Sequence, residues 1–155
     1  MGLAPISSWL TGRTVSAAVP VVDASVVVDW VAPEVDPSGP ARRLLQQLAA
    51  DGDRVIVPRL LREEVANALV TGIRRGRWSG AAADESYQLL RALPVMVLDE
   101  AADLDRAFEL SRRFDEHPVY DLIYVALAER LGELLITADA TLRRRLVGFD
   151  FVVGL

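Results

Sequence analysis

Short, unbroken β-branched and aliphatic runs alternate along this chain with longer segments of helical periodicity, and that alternation most restricts what it can fold into. The runs are Pro20 to Asp23 (ending in an acid), Val55 to Val57, Val95 to Leu98, Leu134 to Thr137 and Phe151 to Val153. None alternates apolar with polar residues, so none reads as a strand with one face in water. Between them lie helical stretches. Val26 to Val31 opens after Ser25 and stops before Pro33, and Ala41 to Ala50 has Leu44, Leu45 and Leu48 on one face. Leu60 to Arg75 carries the stripe Leu61, Val65, Leu69 and Ile73, and Ser79 to Leu93 follows. Asp99 to Arg113 sets Leu104, Ala107, Phe108 and Ser111 on one side, Val119 to Leu131 ends at Gly132, and Ala140 to Leu146 is short. Continuously apolar strands joined by helices form a parallel sheet covered on both faces. The expected fold is one α/β domain over residues 19–155, with a four- or five-stranded, mostly parallel sheet flanked by helices. Residues 1–18, rich in Gly, Pro, Ser and Thr, read as a loose N-terminal extension.

The residue types narrow the chemistry. The chain has no Cys, and all 17 of its basic residues are Arg. Disulfides, thiolate nucleophiles, Schiff bases and a phosphate loop with its Lys are therefore excluded. A single histidine, His117, rules out a two-histidine zinc motif. What remains is hydroxyls, Arg and 22 acids, with a net charge of −5. An enzyme made from these works through carboxylates and a hard cation. No apolar run approaches the ~18 residues that span a bilayer, and the start has no secretory pattern, so a soluble cytoplasmic protein is expected.

In parallel sheets ligands bind beyond the carboxyl ends of the strands, so acids placed there have priority. Asp23 ends the first strand, and Asp139 follows the fourth. Each is also a good helix cap, although Ser25 is as good a cap as Asp23. Asp121 lies in the first turn of its helix, where the dipole favours an acid. Its neighbours at helical spacing, Tyr124, Val125 and Ala128, are apolar, and a carboxylate there needs a partner. Glu64 shares a stripe with Asn67 and Thr71, with Asn67 placed to orient it, whereas Glu63 points toward solvent. Four carboxylates within a few ångströms repel, and a divalent cation relieves that repulsion. Arg74, Arg75 and Arg77 cluster at one helix end and Arg143, Arg144 and Arg145 at another; each reads either as a solvated helix C-terminus complementing the dipole or as a set of phosphate contacts, for which the second cluster, close after Asp139, is the better placed. His117 reads as an ordinary loop residue, with contact to substrate as the alternative.

The segments VVDASVVVDW, LLREEVANAL, YDLIYVALAERLG and LLITADATL, in that order, resemble the PIN-domain ribonucleases, and among them the VapC-like toxins of prokaryotic toxin–antitoxin pairs. The resemblance runs from about Val19 to the end. It implies a PIN-like α/β domain and a Mg2+- or Mn2+-dependent endoribonuclease, dimeric and held inactive by a cognate VapB-like antitoxin. It places the family's acids on Asp23, Glu64, Asp121 and Asp139, with Ser25 and Thr137 as its supporting hydroxyls. Some members carry a further acid after the last Asp, where this chain has Ala140, Thr141 and Leu142. Trp30, Val31, Leu60 and Leu61 are expected to supply apolar surface for a homodimer. Two other functions fit the fold class. One is a non-catalytic binding domain whose acids are only caps. The other is a haloacid-dehalogenase-type phosphatase, opposed by Asp23-Ala24-Ser25 in place of a DxD motif and by the absence of Lys.

Overall fold

The computed structural model describes residues 19–155, so the extension expected over 1–18 lies outside the described residues. Five strands are found: β1 (Val21–Val22), β2 (Val55–Pro58), β3 (Val95–Leu98), β4 (Leu135–Thr137) and β5 (Val152–Gly154). Seven helices separate them: α1 (Ala24–Val31), α2 (Pro40–Asp51), α3 (Leu61–Arg74), α4 (Gly80–Ala92), α5 (Ala101–Arg113), α6 (Val119–Leu131) and α7 (Ala140–Arg145). Pro58 closes β2.

The sheet order is β3-β2-β1-β4-β5. Every pairing is parallel, with Val21 opposite both Ile56 and Leu135, and Val22 opposite Ile136. From β1 the chain steps outward through β2 and β3, then returns to place β4 on the other side of β1. The order therefore reverses between β1 and β4, the kind of switch point beyond whose strand ends ligands bind in parallel sheets. Asp23 and Asp139 lie at that reversal.

Burial follows the strands. Val21, Val22, Leu135 and Ile136 are fully buried at the centre, with Val57, Leu61, Val65, Leu122, Val125 and Leu127 packed around them. Coverage fails at the β3 edge, where Met96 and Val97 are exposed. An edge strand has one neighbour and is only partly overlaid, so a continuously apolar run does not guarantee burial on both faces.

Two sequence expectations are corrected here. On α5 the helix buries Asp103, Ala107, Leu110 and Ser111, while Leu104 and Phe108 are 54% and 62% exposed. Asp103 is accepted inside because Arg130 of α6 forks onto both its oxygens at 2.7 and 2.8 Å, and that pair rotates Leu104 and Phe108 toward solvent. Second, Trp30, Val31 and Leu61 are core residues, and the Trp30 indole donates to the Ala41 carbonyl at 2.8 Å. They supply no surface for a second subunit. No helix among the described residues is long and apolar enough to cross a membrane.

Candidate active site

Asp23 follows β1 directly and occupies the cap position of α1, yet its side chain makes no capping bond. It accepts instead from the hydroxyls of Ser25 at 2.5 Å and Thr137 at 2.8 Å, both on Oδ2. Ser25 Oγ in turn accepts from the Ala138 amide, and Thr137 Oγ1 from the Asp139 amide. Each hydroxyl has one proton to give and spends it on Asp23, so the two backbone amides must fill their acceptor sites. This network ties the end of β1 to the end of β4. Ser25 lies inside α1 as part of that tie and is not a cap. Burial raises the Asp23 carboxyl above its ordinary range, the two hydroxyls oppose the rise, and the Asp121 charge adds to it.

Asp139 does cap. Its Oδ1 accepts from the Thr141 and Leu142 amides at 2.7 and 3.0 Å at the start of α7. The cap uses one carboxylate oxygen, Oδ1, and leaves Oδ2 out of the capping bonds.

Glu64 on α3 is half-buried, and Tyr124 on α6 donates its hydroxyl to Glu64 Oε2 at 2.5 Å. Burial is the main force on Glu64, moving its carboxyl up to about 7; Asp23, Asp121 and Glu63 push the same way and the Tyr124 hydrogen bond opposes them. Tyr124 itself is fully buried, and burial together with the Glu64 charge holds its phenol protonated. The hydrogen bond anticipated from Asn67 is thus made by Tyr124, and Asn67 is exposed. Glu63 is exposed, as the helical phase requires.

Asp121 sits in the first turn of α6, and its Oδ2 lies 2.8 Å from His117 Nε2. Burial raises its carboxyl, His117 pulls it down, and Asp139 pushes it up. His117 is only 7% exposed. The expectation of an ordinary loop histidine is therefore wrong: the ring is buried against one of the candidate acids.

The four acids form an electrostatically connected set. Asp23 senses Asp121, Glu64 senses both, and Asp121 senses Asp139. They are not as close as the sequence reading supposed, because no three of His, Asp or Glu among the described residues are gathered tightly enough to hold a metal ion as placed. Each carboxylate leans on a hydroxyl, an amide or an imidazole, and among the described residues no Arg pairs with any of them. The donor set nonetheless suits a hard divalent cation. It is all oxygen and negative, and its groups are partly buried.

The arginines predicted beside the acids are exposed on α7. Arg143 lies against Gly154, Arg144 donates to Thr141 Oγ1 at 3.0 Å, and Arg145 donates to the Phe114 carbonyl at 3.2 Å. In the other cluster Arg77 stacks over Trp78 at 5.0 Å.

Tyr124 and His117 are the residues that sequence reasoning missed. The His117–Asp121 spacing of four was a readable signal. The Tyr124–Glu64 contact joins positions 60 residues apart and left no local trace.

A family model described as the PIN domain matches residues 21–145. Among curated proteins, the chain is similar to Ribonuclease VapC9 of Mycobacterium tuberculosis, with 32% identity over 122 residues, covering 79% of this chain and 87% of that protein. A VapC ribonuclease of Mycobacterium bovis matches with the same 32% identity over 122 residues and the same coverage of 79% and 87%.

Proposed function

The chain belongs to the PIN-domain family, and from that premise we propose that it is the toxin of a toxin–antitoxin pair, an endoribonuclease that uses Mg2+ or Mn2+ to hydrolyse RNA phosphodiesters. One observation carries the metal-dependent part. Asp23, Glu64, Asp121 and Asp139 come from four separate segments, act on one another's charges, and have no arginine partner among the described residues. Such a cluster is costly unless a cation joins it. A domain whose acids were only caps would not need this arrangement, and of the four only Asp139 caps a helix with its side chain.

In this reading the oxygens of Asp23, Asp121, Asp139 and Glu64 hold the cation. When bound, the cation lowers the pKa of a water and offsets the negative charge that develops on the phosphate. Ser25 and Thr137 fix the Asp23 carboxylate by bonding one oxygen, and leave Oδ1 for the cation. Tyr124 does the same for Glu64 through Oε2. In the metal-free protein the Glu64 carboxyl lies near 7, so cation binding at neutral pH would release its proton. Arg143, Arg144 and Arg145 on α7 contact RNA phosphates beside Asp139. Asn67, exposed one turn beyond Glu64, faces solvent where substrate approaches. The homodimer belongs to the same proposal, but its apolar surface comes from Leu104 and Phe108 of α5 and from the open β3 edge. A VapB-like antitoxin blocks the cleft by offering Arg or Lys to the acids.

The test uses purified protein and a labelled RNA pool with Mn2+, Mg2+ or EDTA. Cleavage that needs the metal and is lost in Asp23→Asn, with the fold intact, is the expected result. Undiminished cleavage in EDTA overturns the metal role. Growth arrest that persists when the gene product encoded immediately upstream is co-expressed and soluble overturns the toxin–antitoxin role alone.

A further inference from the structure

The loop between α5 and α6, Phe114 to Pro118, has a backbone that its sequence does not favour. Asp115 and Glu116 both adopt left-handed conformations, with φ of 55° and 50°. Two consecutive non-glycine residues there are uncommon, and such strain persists only where the surroundings impose it. The next residue shows what imposes it. The His117 amide donates to the Phe114 carbonyl at 3.2 Å, and the His117 carbonyl accepts from the buried hydroxyl of Ser111 at 2.7 Å. The backbone is held on both sides of the ring. The ring is buried, and its Nε2 reaches Asp121 Oδ2 at 2.8 Å. A carboxylate only accepts, so Nε2 carries the hydrogen and donates.

The Asp121 carboxylate has no other hydrogen-bond partner among the described residues, and the side chain is 32% exposed. Without His117, a half-exposed aspartate in the first turn of a helix would sample several rotamers. With it, Oδ2 is occupied and Oδ1 is left pointing in one direction. We propose that His117 is a positioning residue: the strained Phe114–Pro118 loop delivers its imidazole to Asp121 and fixes that carboxylate in the orientation in which it meets the divalent cation. The inference rests on the metal-nuclease reading above. It adds a residue that touches neither substrate nor metal but acts through a ligand, as groups hydrogen-bonded to metal-bound side chains do elsewhere.

The rival explanation is that His117 merely fills space under the helix. Two substitutions separate the two roles. His117→Gln keeps an N–H donor at nearly the reach of Nε2, whereas His117→Leu keeps the volume and removes the donor. Mn2+ binding to the full chain is measured calorimetrically, with melting in chelator as the check on folding. The proposal expects His117→Leu to bind Mn2+ about tenfold or more weakly and His117→Gln to stay within about threefold of wild type. Equal binding by wild type and His117→Leu overturns it, and so does equal loss in both variants. One measurement needs no variant. His117 is the chain's single histidine, so the imidazole resonances of the labelled wild type report on it alone. They should shift as Mg2+ is added and saturate with the Mg2+ affinity found by calorimetry; unchanged resonances at saturating Mg2+ overturn the proposal. Failure of the wild type to bind Mn2+ or to cleave RNA is a different result, and sinks the metal-nuclease reading itself.

Discussion

Glu64→Gln gives the sharpest test of the electrostatics, because its sign and its pH window both follow from the structure. Glu64 is half-buried, accepts one hydrogen bond from Tyr124, and has its carboxyl carried from 4.5 to about 7 by burial and by neighbouring acids. The folded protein therefore holds this proton more tightly than the unfolded chain does. Below pH 4.5 the group is protonated in both states and costs nothing. Between 4.5 and 7 the unfolded chain ionises first, so the folded state loses stability as the pH rises, and above 7 the loss is complete. A fully desolvated group shifted this far would cost about 3 kcal/mol. Glu64 keeps part of its surface in water, so screening reduces the figure to ~1.5 kcal/mol. Glutamine fills the same space, still accepts from Tyr124, and carries no charge. In metal-free protein at pH 8, Glu64→Gln should melt about 3–6 °C above wild type, given the ~2–4 °C per kcal/mol typical of this chain length. At pH 4.5 the two should melt together. Glu63→Gln, on the exposed face, is the control and should show no such pH-dependent gain. The assay is thermal melting by circular dichroism in EDTA across that pH range. A gain that does not change with pH would show that glutamine acts through packing, and a loss at pH 8 would refute the burial argument altogether. Excess Mn2+ should shrink or reverse the gap, because the cation stabilises only the protein that can bind it.

Two further outcomes follow from the same contacts. Tyr124→Phe removes the single donor to Glu64, a bond to a charged group worth ~1.5–3 kcal/mol, so Glu64 should titrate above 7 and Mn2+ binding at pH 7 should weaken about tenfold and recover by pH 9; an unaltered pH profile would show that the bond does not tune Glu64. Arg130→Met strands the buried Asp103 carboxylate between α5 and α6 and should cost about 3 kcal/mol of stability, read from urea unfolding; a midpoint equal to wild type would mean that water reaches Asp103.

The order of elements was written in the sequence because each signal was local. A run of β-branched residues, a proline stop or a glycine cap acts over a few neighbours, and such signals placed all five strands and all seven helices to within a few residues. The candidate acids were also legible, because their position relative to strand ends is itself a sequence property. Asp23 and Asp139 follow β1 and β4, and only the sheet order was needed to make those strands neighbours. The absence of Lys and Cys removed rival chemistries before any coordinates were needed.

Tertiary structure decided what depends on partners distant in the chain. The α5 stripe of Leu104 and Phe108 was a sound periodic pattern, yet the Asp103–Arg130 pair turned the helix the other way, since a bidentate buried ion pair outweighs two apolar side chains that a surface tolerates. Helical spacing offers Asn67 as the partner of Glu64, but Tyr124 arrives from α6 across the fold. Asp23 looked like a cap, and the hydroxyl of Thr137, brought alongside by the pairing of β1 with β4, draws its carboxylate away from that role. The spacing of four between His117 and Asp121 is visible in the sequence, but the left-handed turn at Asp115 and Glu116 and the burial that press the ring against Asp121 belong to the folded backbone. Periodicity states which residues can share a face, whereas hydrogen bonding and desolvation between elements determine which of them do.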